Sequence, residues 1–348
     1  MTLPAAVRPG EEPVSLASSS APFGLRDLDP GLASALAHGL ARVEELLVAS
    51  ATSADSFVAA TARHLVQAGG KRFRPLLVLL AAQFGDPSAP AVVPAAVVVE
   101  LTHLATLYHD DVMDEASLRR GAPSANRRWD NTVAILTGDF LFARASNLLA
   151  DLGPEAVRIQ ARTFERLVTG QIHETVGPMD GQDTISHHLS VLADKTGSLI
   201  ATSGRFGAML SGAARDTVEV LTRYGERIGV AFQLADDLLD VASDSLTSGK
   251  TPGTDLRAGV PTLPVLLARA STDPAGARLR ELLAADLDDD DRHAEALALL
   301  REHPAMDAAR AETRRWTQAA RTEAVSLPAG PARDALVALC DAVGVRDA

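Results

Sequence analysis

Apolar residues recur at helical spacing along almost the whole chain, over Leu32 to Val48 and again over residues 55–68, 74–84, 92–115, 130–150, 155–176, 186–212 and 216–243. No stretch alternates apolar and polar residues as a half-buried strand would. Glycine and proline separate the periodic segments, at Gly69-Gly70, Gly85-Asp86-Pro87, Gly121-Ala122-Pro123, Gly153-Pro154, Gly177-Pro178 and Pro252-Gly253. The pattern predicts an all-α fold, and 348 residues with 47% hydrophobic content suffice for a large core. There is no repeat of the solenoid kind.

Two acidic clusters interrupt this apolar background 126 residues apart, Asp110-Asp111-Val112-Met113-Asp114 and Asp236-Asp237-Leu238-Leu239-Asp240. On a helix the first and fifth positions share a face, so Asp110 with Asp114, and Asp236 with Asp240, each offer two carboxylates to one side. Acidic clusters are ordinarily solvated helix faces. These two, however, are embedded in apolar sequence, where carboxylates are costly to bury without cations. Hard oxygen ligands facing one another across a cavity suit Mg²⁺ when a phosphorylated substrate supplies the remaining ligands.

The basic residues point the same way. Of 33, only three are lysine, Lys71, Lys195 and Lys250, and each falls in a short polar motif. In Gly69-Gly70-Lys71-Arg72-Phe73-Arg74-Pro75, Lys71 and Arg74 can grip one anion from a turn entering a helix, and Gly70 permits close approach. The motif lacks the spacing of a nucleotide P-loop. Arg119 and Arg120 follow the first acidic cluster and bring forked donors for phosphate oxygens. Gln233 lies one turn before Asp236 and Asp237 and shares their polar face. Lys250 sits on a glycine-bounded loop, and Asp194-Lys195-Thr196-Gly197-Ser198 adds a cation beside a hydroxyl. The combined set describes a site for a metal-complexed diphosphate.

A net charge of −12 and a pI near 5.2 argue against a nucleic-acid binder. The single Cys340 has no internal disulfide partner and fits a reducing cytosol. Residues 1–28, rich in Pro, Ser, Ala and Gly, are expected to be a disordered extension without the plan of a secretory signal, and residues 29–348 a single domain. The most apolar stretch, Ala91 to Tyr108, is broken by Pro94, Glu100 and His103, so a buried helix is expected rather than a membrane anchor. The run Asp286 to Asp291 is expected to be a solvated loop or cap.

With Gly-Gly-Lys-Arg-x-Arg-Pro, the first aspartate motif, Arg-Arg-Gly, Lys-Thr, the second aspartate motif and Gly-Lys-x-x-Gly-x-Asp-Leu following one another in the family's order, the sequence resembles the all-trans isoprenyl diphosphate synthases, the polyprenyl synthetase family, over about residues 40–275. The resemblance implies a bundle of ten or more helices around one deep cavity, a homodimer, and a cytoplasmic prenyltransferase. Its substrates would be isopentenyl diphosphate and an allylic diphosphate, with three Mg²⁺ per active site. It implies that Asp110, Asp114 and Asp236 ligate Mg²⁺ and that Asp111, Asp237 and Asp240 support them through water or hydrogen bonds. It assigns Lys71, Arg74, His103 and Arg120 to isopentenyl diphosphate and Arg119, Lys195, Thr196, Gln233 and Lys250 to the allylic diphosphate. Val260 departs from the pattern, standing where many members carry lysine. The scarcity of lysine beside arginine and alanine fits a GC-rich bacterial genome, with quinone side chains or carotenoid precursors as plausible destinations.

Ala105 and Thr106, five and four residues before Asp110, hold the positions where bulky aromatics close the pocket in short-chain members. Both are small, so a product longer than twenty carbons is expected, limited deeper by Leu101, Val98, or Ile135 and Phe142 of a neighbouring helix; Tyr108 is a further candidate to narrow the channel. The adjacent His187 and His188 are expected to be ordinary structural or surface residues. Alternatives are a geranylgeranyl or farnesyl diphosphate synthase, and a class I terpene cyclase, which has no use for Gly69 to Arg74. A non-catalytic synthase subunit should have lost an aspartate motif, and an HD-type phosphohydrolase using His109-Asp110 needs histidines that the second cluster lacks.

Overall fold

The computed structural model describes residues 28–242 and 252–345. Apart from Leu28, the expected N-terminal extension lies outside them, and so does Lys250. The helices begin where the sequence supplies caps. Asp29, Asp55 and Asp130 accept backbone N–H bonds at the starts of α1 (Pro30–Ser50), α2 (Ser56–Gln67) and, further on, α6 (Asn131–Leu152). Proline occupies the first turn of α1 and of α7 (Pro154–Val176), where its missing N–H is of no consequence. Between them run α3 (Phe73–Ala82), α4 (Val92–Met113), a hairpin of β1 (Leu118–Arg119) and β2 (Ala122–Pro123), and the single turn α5 (Ala125–Arg128).

Helix α4 is the axis of the bundle and packs against α1, α3, α6 and, later in the chain, α9 (Ser198–Leu210). It is apolar and long enough to cross a bilayer, yet 72% of its most apolar window is buried inside the protein, as expected for a core helix. By length and composition α6 passes the same test, with 33% of its window buried. Helix α8 (Thr184–Leu192) runs through a π-helical turn, Ala193–Gly197, directly into α9. Helix α10 (Arg215–Ala242) divides its faces between two apolar clusters. Ile228, Ala231 and Ala235 join the cluster around α1 to α7 and α9, whereas Val230, Leu234, Leu238 and Val241 join the C-terminal one. The latter includes side chains of α11 (Thr254–Arg257), α12 (Leu263–Ala270), α13 (Ala277–Leu283), α14 (Asp290–Glu302) and α15 (Pro304–Val325). Helix α16 (Pro331–Val345) closes the first cluster with Leu336 and Leu339. Among the described residues the only strands are the hairpin's two short ones, so the class is all-α.

Candidate active site

The C-terminal half of α4 and the second half of α10 border one cavity of about 610 Å³. Asp110 and Asp236 both line it, so the two aspartate-bearing faces converge. Their companions are turned to other work. Asp111 is fully buried, accepts a bond from Arg119 Nε at 2.6 Å, and keeps its Oδ2 without a hydrogen-bond partner. Asp114 ends α4 at the rim, its side chain 57% exposed and 3.8 Å from Arg119. Asp237 is buried beside Gln233, and its unpartnered Oδ2 stands 3.4 Å from His188 Nε2. Asp240 accepts bonds from the Thr254 and Asp255 amides at 3.0 and 3.1 Å, which ties the start of α11 to α10. Burial pushes the Asp110 carboxyl up to about 6, with Lys195 opposing the shift and Asp114 adding to it. Burial also raises Asp240.

Gly70, Lys71, Arg74, His103, Arg119, Arg120, Lys195, Thr196 and Gln233 all line the same cavity. Gly70 has φ 146°, and a β-carbon there would lie 2.8 Å from the Arg120 guanidinium carbon. Desolvation lowers Arg74 to about 10, with Glu100 opposing the shift and the neighbouring Arg120 adding to it. Desolvation, then the charges of Arg74, Arg120 and Arg119, push His103 well below the usual range, so its ring is neutral. The π turn carries Lys195 and Thr196 into the cavity, a common use of such turns at functional sites. It packs against Gly170 of α7 so closely that a β-carbon there would sit 2.8 Å from the Lys195 amide nitrogen. Lys195 is paired with Glu174, and Thr196 donates to Gln233 at 3.5 Å.

All the donors on the two aspartate faces are oxygens, which suits a hard divalent cation. Among the described residues no three His, Cys, Asp or Glu side chains form a ready-made metal cage. Mg²⁺ bound partly through substrate phosphates needs only one or two carboxylates, and Asp110 and Asp236, both lining the cavity, are the residues that could supply them. A model of the Polyprenyl synthetase family matches residues 55–300. This chain belongs to the polyprenyl synthetase family. A nonaprenyl diphosphate synthase of Mycobacterium tuberculosis is 53% identical to it over 314 residues, 90% of this chain and 94% of the relative. The solved structure of a geranylgeranyl pyrophosphate synthase from Corynebacterium glutamicum, complexed with calcium and isoprenyl diphosphate, matches with TM-score 0.83 and 46% identity over 91% of this chain and 98% of that one. A decaprenyl diphosphate synthase from Rhodobacter capsulatus matches with TM-score 0.83 and 36% identity, covering 91% and 99%.

In this polyprenyl synthetase the residues expected to set product length part company. Thr106 lines the cavity, whereas Leu101, Val98 and Ala105 are fully buried core side chains, and the Ala105 carbonyl faces Gly138 of α6. A second, largely apolar cavity of about 400 Å³ lies between α4, α6 and α7, lined by Thr102, His109, Phe142, Leu149, Gln160 and Phe164 among others. Thr102 is one turn below Thr106, so the two cavities flank the same stretch of α4. Ile135 lines neither and is 43% exposed. Tyr108 does not narrow the channel: its hydroxyl donates to the Thr61 carbonyl and accepts from the Leu65 amide, facing α2. Of the two adjacent histidines, His188 is structural: it is half-buried, with Nε2 3.4 Å from Asp237 Oδ2. Val260 lies in a separate surface depression beside Arg257.

Several site residues escaped the sequence. Glu100 is 2% exposed and balances Arg72 at 2.9 Å and Arg120 at 3.7 Å, while Arg72 also pairs with Glu44 at 2.8 Å. A lone glutamate inside an apolar run was the available signal. Gln171 lines the cavity and Glu174 holds Lys195, one turn apart on α7. Their polar spacing beside Gly170 marked that face of the helix.

Proposed function

We propose that this transferase joins an allylic diphosphate to isopentenyl diphosphate head to tail, releasing pyrophosphate and giving an all-trans polyprenyl diphosphate longer than twenty carbons. One observation supports the proposal: a single cavity is lined by both Asp110 and Asp236 together with Lys71, Arg74, Arg119, Arg120 and Lys195, enough positive charge for two diphosphates. Asp110 and Asp236, with Asp114 at the rim, would hold Mg²⁺, three ions per site by resemblance to the family. Bound there, the metal supplies Lewis-acid stabilisation of the leaving pyrophosphate. Lys195, Thr196 and Arg119 hold the allylic diphosphate and orient its carbon–oxygen bond. Lys71, Arg74 and Arg120 hold the isopentenyl diphosphate, with the neutral His103 as a hydrogen-bonding neighbour. Leu107, Leu167, Leu199, Ile200 and Phe232 form a dry wall that keeps water from the allylic cation. The departing pyrophosphate takes the final proton.

Incubating the purified protein with Mg²⁺, farnesyl diphosphate and labelled isopentenyl diphosphate tests the assignment. Longer prenyl diphosphates are expected. A hydrocarbon formed from the allylic substrate alone would identify a cyclase, and no turnover a regulatory subunit. For product length, Thr106→Phe is expected to shorten the distribution by several isoprene units because that side chain lines the cavity. Ala105→Tyr instead overpacks the core around the fully buried Ala105 and is expected to destabilise by roughly 1–3 kcal/mol. Residues 29–348 acting as one domain, a homodimer and a cytoplasmic location complete the proposal. Sedimentation of the purified chain checks the dimer.

A further inference from the structure

His64 of α2 is 6% exposed, lines neither cavity, and has both ring nitrogens engaged. Nδ1 lies 3.0 Å from Arg128 Nη1, and because a guanidinium only donates, Nδ1 is the acceptor. The ring proton is therefore on Nε2, which donates to the Pro123 carbonyl at 2.7 Å. Trp129 stands edge-on to the imidazole at 5.2 Å and carries Arg128 over its own face at 4.8 Å, so the ring is held in one orientation. Pro123 is the last residue of the hairpin, in register with Leu118, and its neighbour Ala122 pairs with Arg119.

The hairpin turn is Arg120-Gly121, with φ 54° and 77°, the pattern of a two-residue type I′ turn. For arginine this is a strained conformation, and it persists only where the surroundings over-determine it. Helix α2 supplies that constraint from both sides. His64 holds the returning strand, while Leu65, the next residue, presents its carbonyl to Arg120 Nη1 at 3.1 Å. Arg120 also donates to the Gly69 carbonyl beyond the end of α2.

Building on the two-diphosphate site proposed above, we infer that His64 is a positioning residue for isopentenyl diphosphate. As a neutral imidazole protonated on Nε2, it fixes Pro123, and through it the strained turn that aims Arg120 into the cavity. It touches no substrate and acts through Arg120.

The full chain with Mg²⁺ tests this by titration calorimetry with isopentenyl diphosphate and separately with farnesyl diphosphate, alongside the KM for each. His64→Ala and His64→Leu should weaken isopentenyl diphosphate about tenfold, by both measures, while the allylic affinity stays within about twofold and kcat within about threefold. Leucine fills the space of the ring and covers the case in which the alanine variant does not fold. His64→Gln, which can still donate to Pro123, should recover most of the loss. In an Arg120→Ala background, His64→Leu should have no further effect on isopentenyl diphosphate. Unchanged isopentenyl affinity, equal losses for both diphosphates, or full additivity with Arg120→Ala would each overturn the inference while leaving the proposed function intact. A wild-type chain that binds no isopentenyl diphosphate would remove both.

Discussion

The two aspartate clusters have the same spacing, and the protein braces them by different means. At the end of α4 the middle carboxylate, Asp111, is neutralised by a charged partner, Arg119, and the last, Asp114, stays in solvent at the rim. On α10 the middle carboxylate, Asp237, is met by an amide and an imidazole, and the last, Asp240, is bound to backbone amides of the next helix. Only the first member of each cluster, Asp110 and Asp236, lines the cavity. Motifs of the same spacing thus each place one residue in the cavity and differ in how the other two are held, with an arginine ion pair in one cluster and side-chain and backbone amides in the other.

The sharpest test concerns the shared feature. Asp110→Asn and Asp236→Asn should each lower kcat on the order of 10³-fold, since each removes a proposed metal-facing charge. If one substitution leaves turnover intact, the two clusters are not equivalent at the cavity. Asp110→Asn should at the same time stabilise the metal-free protein, because the native carboxylate is buried at a cost. The sign follows from its raised pKa of about 6. The folded state holds the proton more tightly than the unfolded state, so this contribution to stability is greatest below about pH 4, declines between about pH 4 and 6, and stays reduced above. The penalty above pH 6 is up to about 3 kcal/mol. Urea denaturation of wild type and variant at pH 4.5 and 7.5 should show the variant gaining more at the higher pH.

The bracing residues come next. Asp111→Asn removes the nearer of the two carboxylates at Arg119 and leaves only Asp114 at 3.8 Å, and with Arg119 28% exposed the expected loss is about 2 kcal/mol rather than the larger value of a fully buried pair. Asp237→Asn keeps a polar group beside Gln233 and His188 and should cost about 1 kcal/mol or less. Denaturant midpoints at matched pH decide between them, and equal losses would show that the ion pair does not distinguish the clusters.

How far the site could be read from the chain follows from the same contrast. A row of carboxylates in an apolar helix is a local contradiction, visible without knowledge of the fold, and so are Lys71 and Arg74 at a glycine turn. Helical periodicity carried the fold class for the same reason. What remained hidden depends on residues distant in sequence. Glu100 meets Arg72 across 28 positions, and His188 reaches Asp237 only because α8 crosses α10. Ala105 and Thr106 are adjacent and both small, yet one is fully buried in the core and the other lines the cavity, a distinction set by how α4 is rotated in the bundle. Tyr108 looked like a channel residue until its hydroxyl was placed between two backbone groups of α2.

The smallest expected effect separates the last member of each cluster. Asp240 Oδ1 accepts from Thr254 N and Oδ2 from Asp255 N, while its own carbonyl accepts from Gly253 N at 2.7 Å. Asp240→Ala removes both side-chain acceptors from the first turn of α11, a loss of about 1 kcal/mol by comparison with other helix caps. Asp114, at the rim with a single distant arginine, should change stability by less than about 0.5 kcal/mol on substitution by alanine. Activity should rank them the other way, because Asp114 shares its face with Asp110 while Asp240 is turned toward α11. Hydrogen exchange gives the local readout: the Thr254 and Asp255 amides should lose protection in Asp240→Ala and keep it in Asp114→Ala. Unchanged protection in the first variant would mean that the α11 start is held by the Gly253 bond and the His293 contact to the Gly253 carbonyl at 2.8 Å, and that the third aspartate of α10 has no structural task distinct from that of α4.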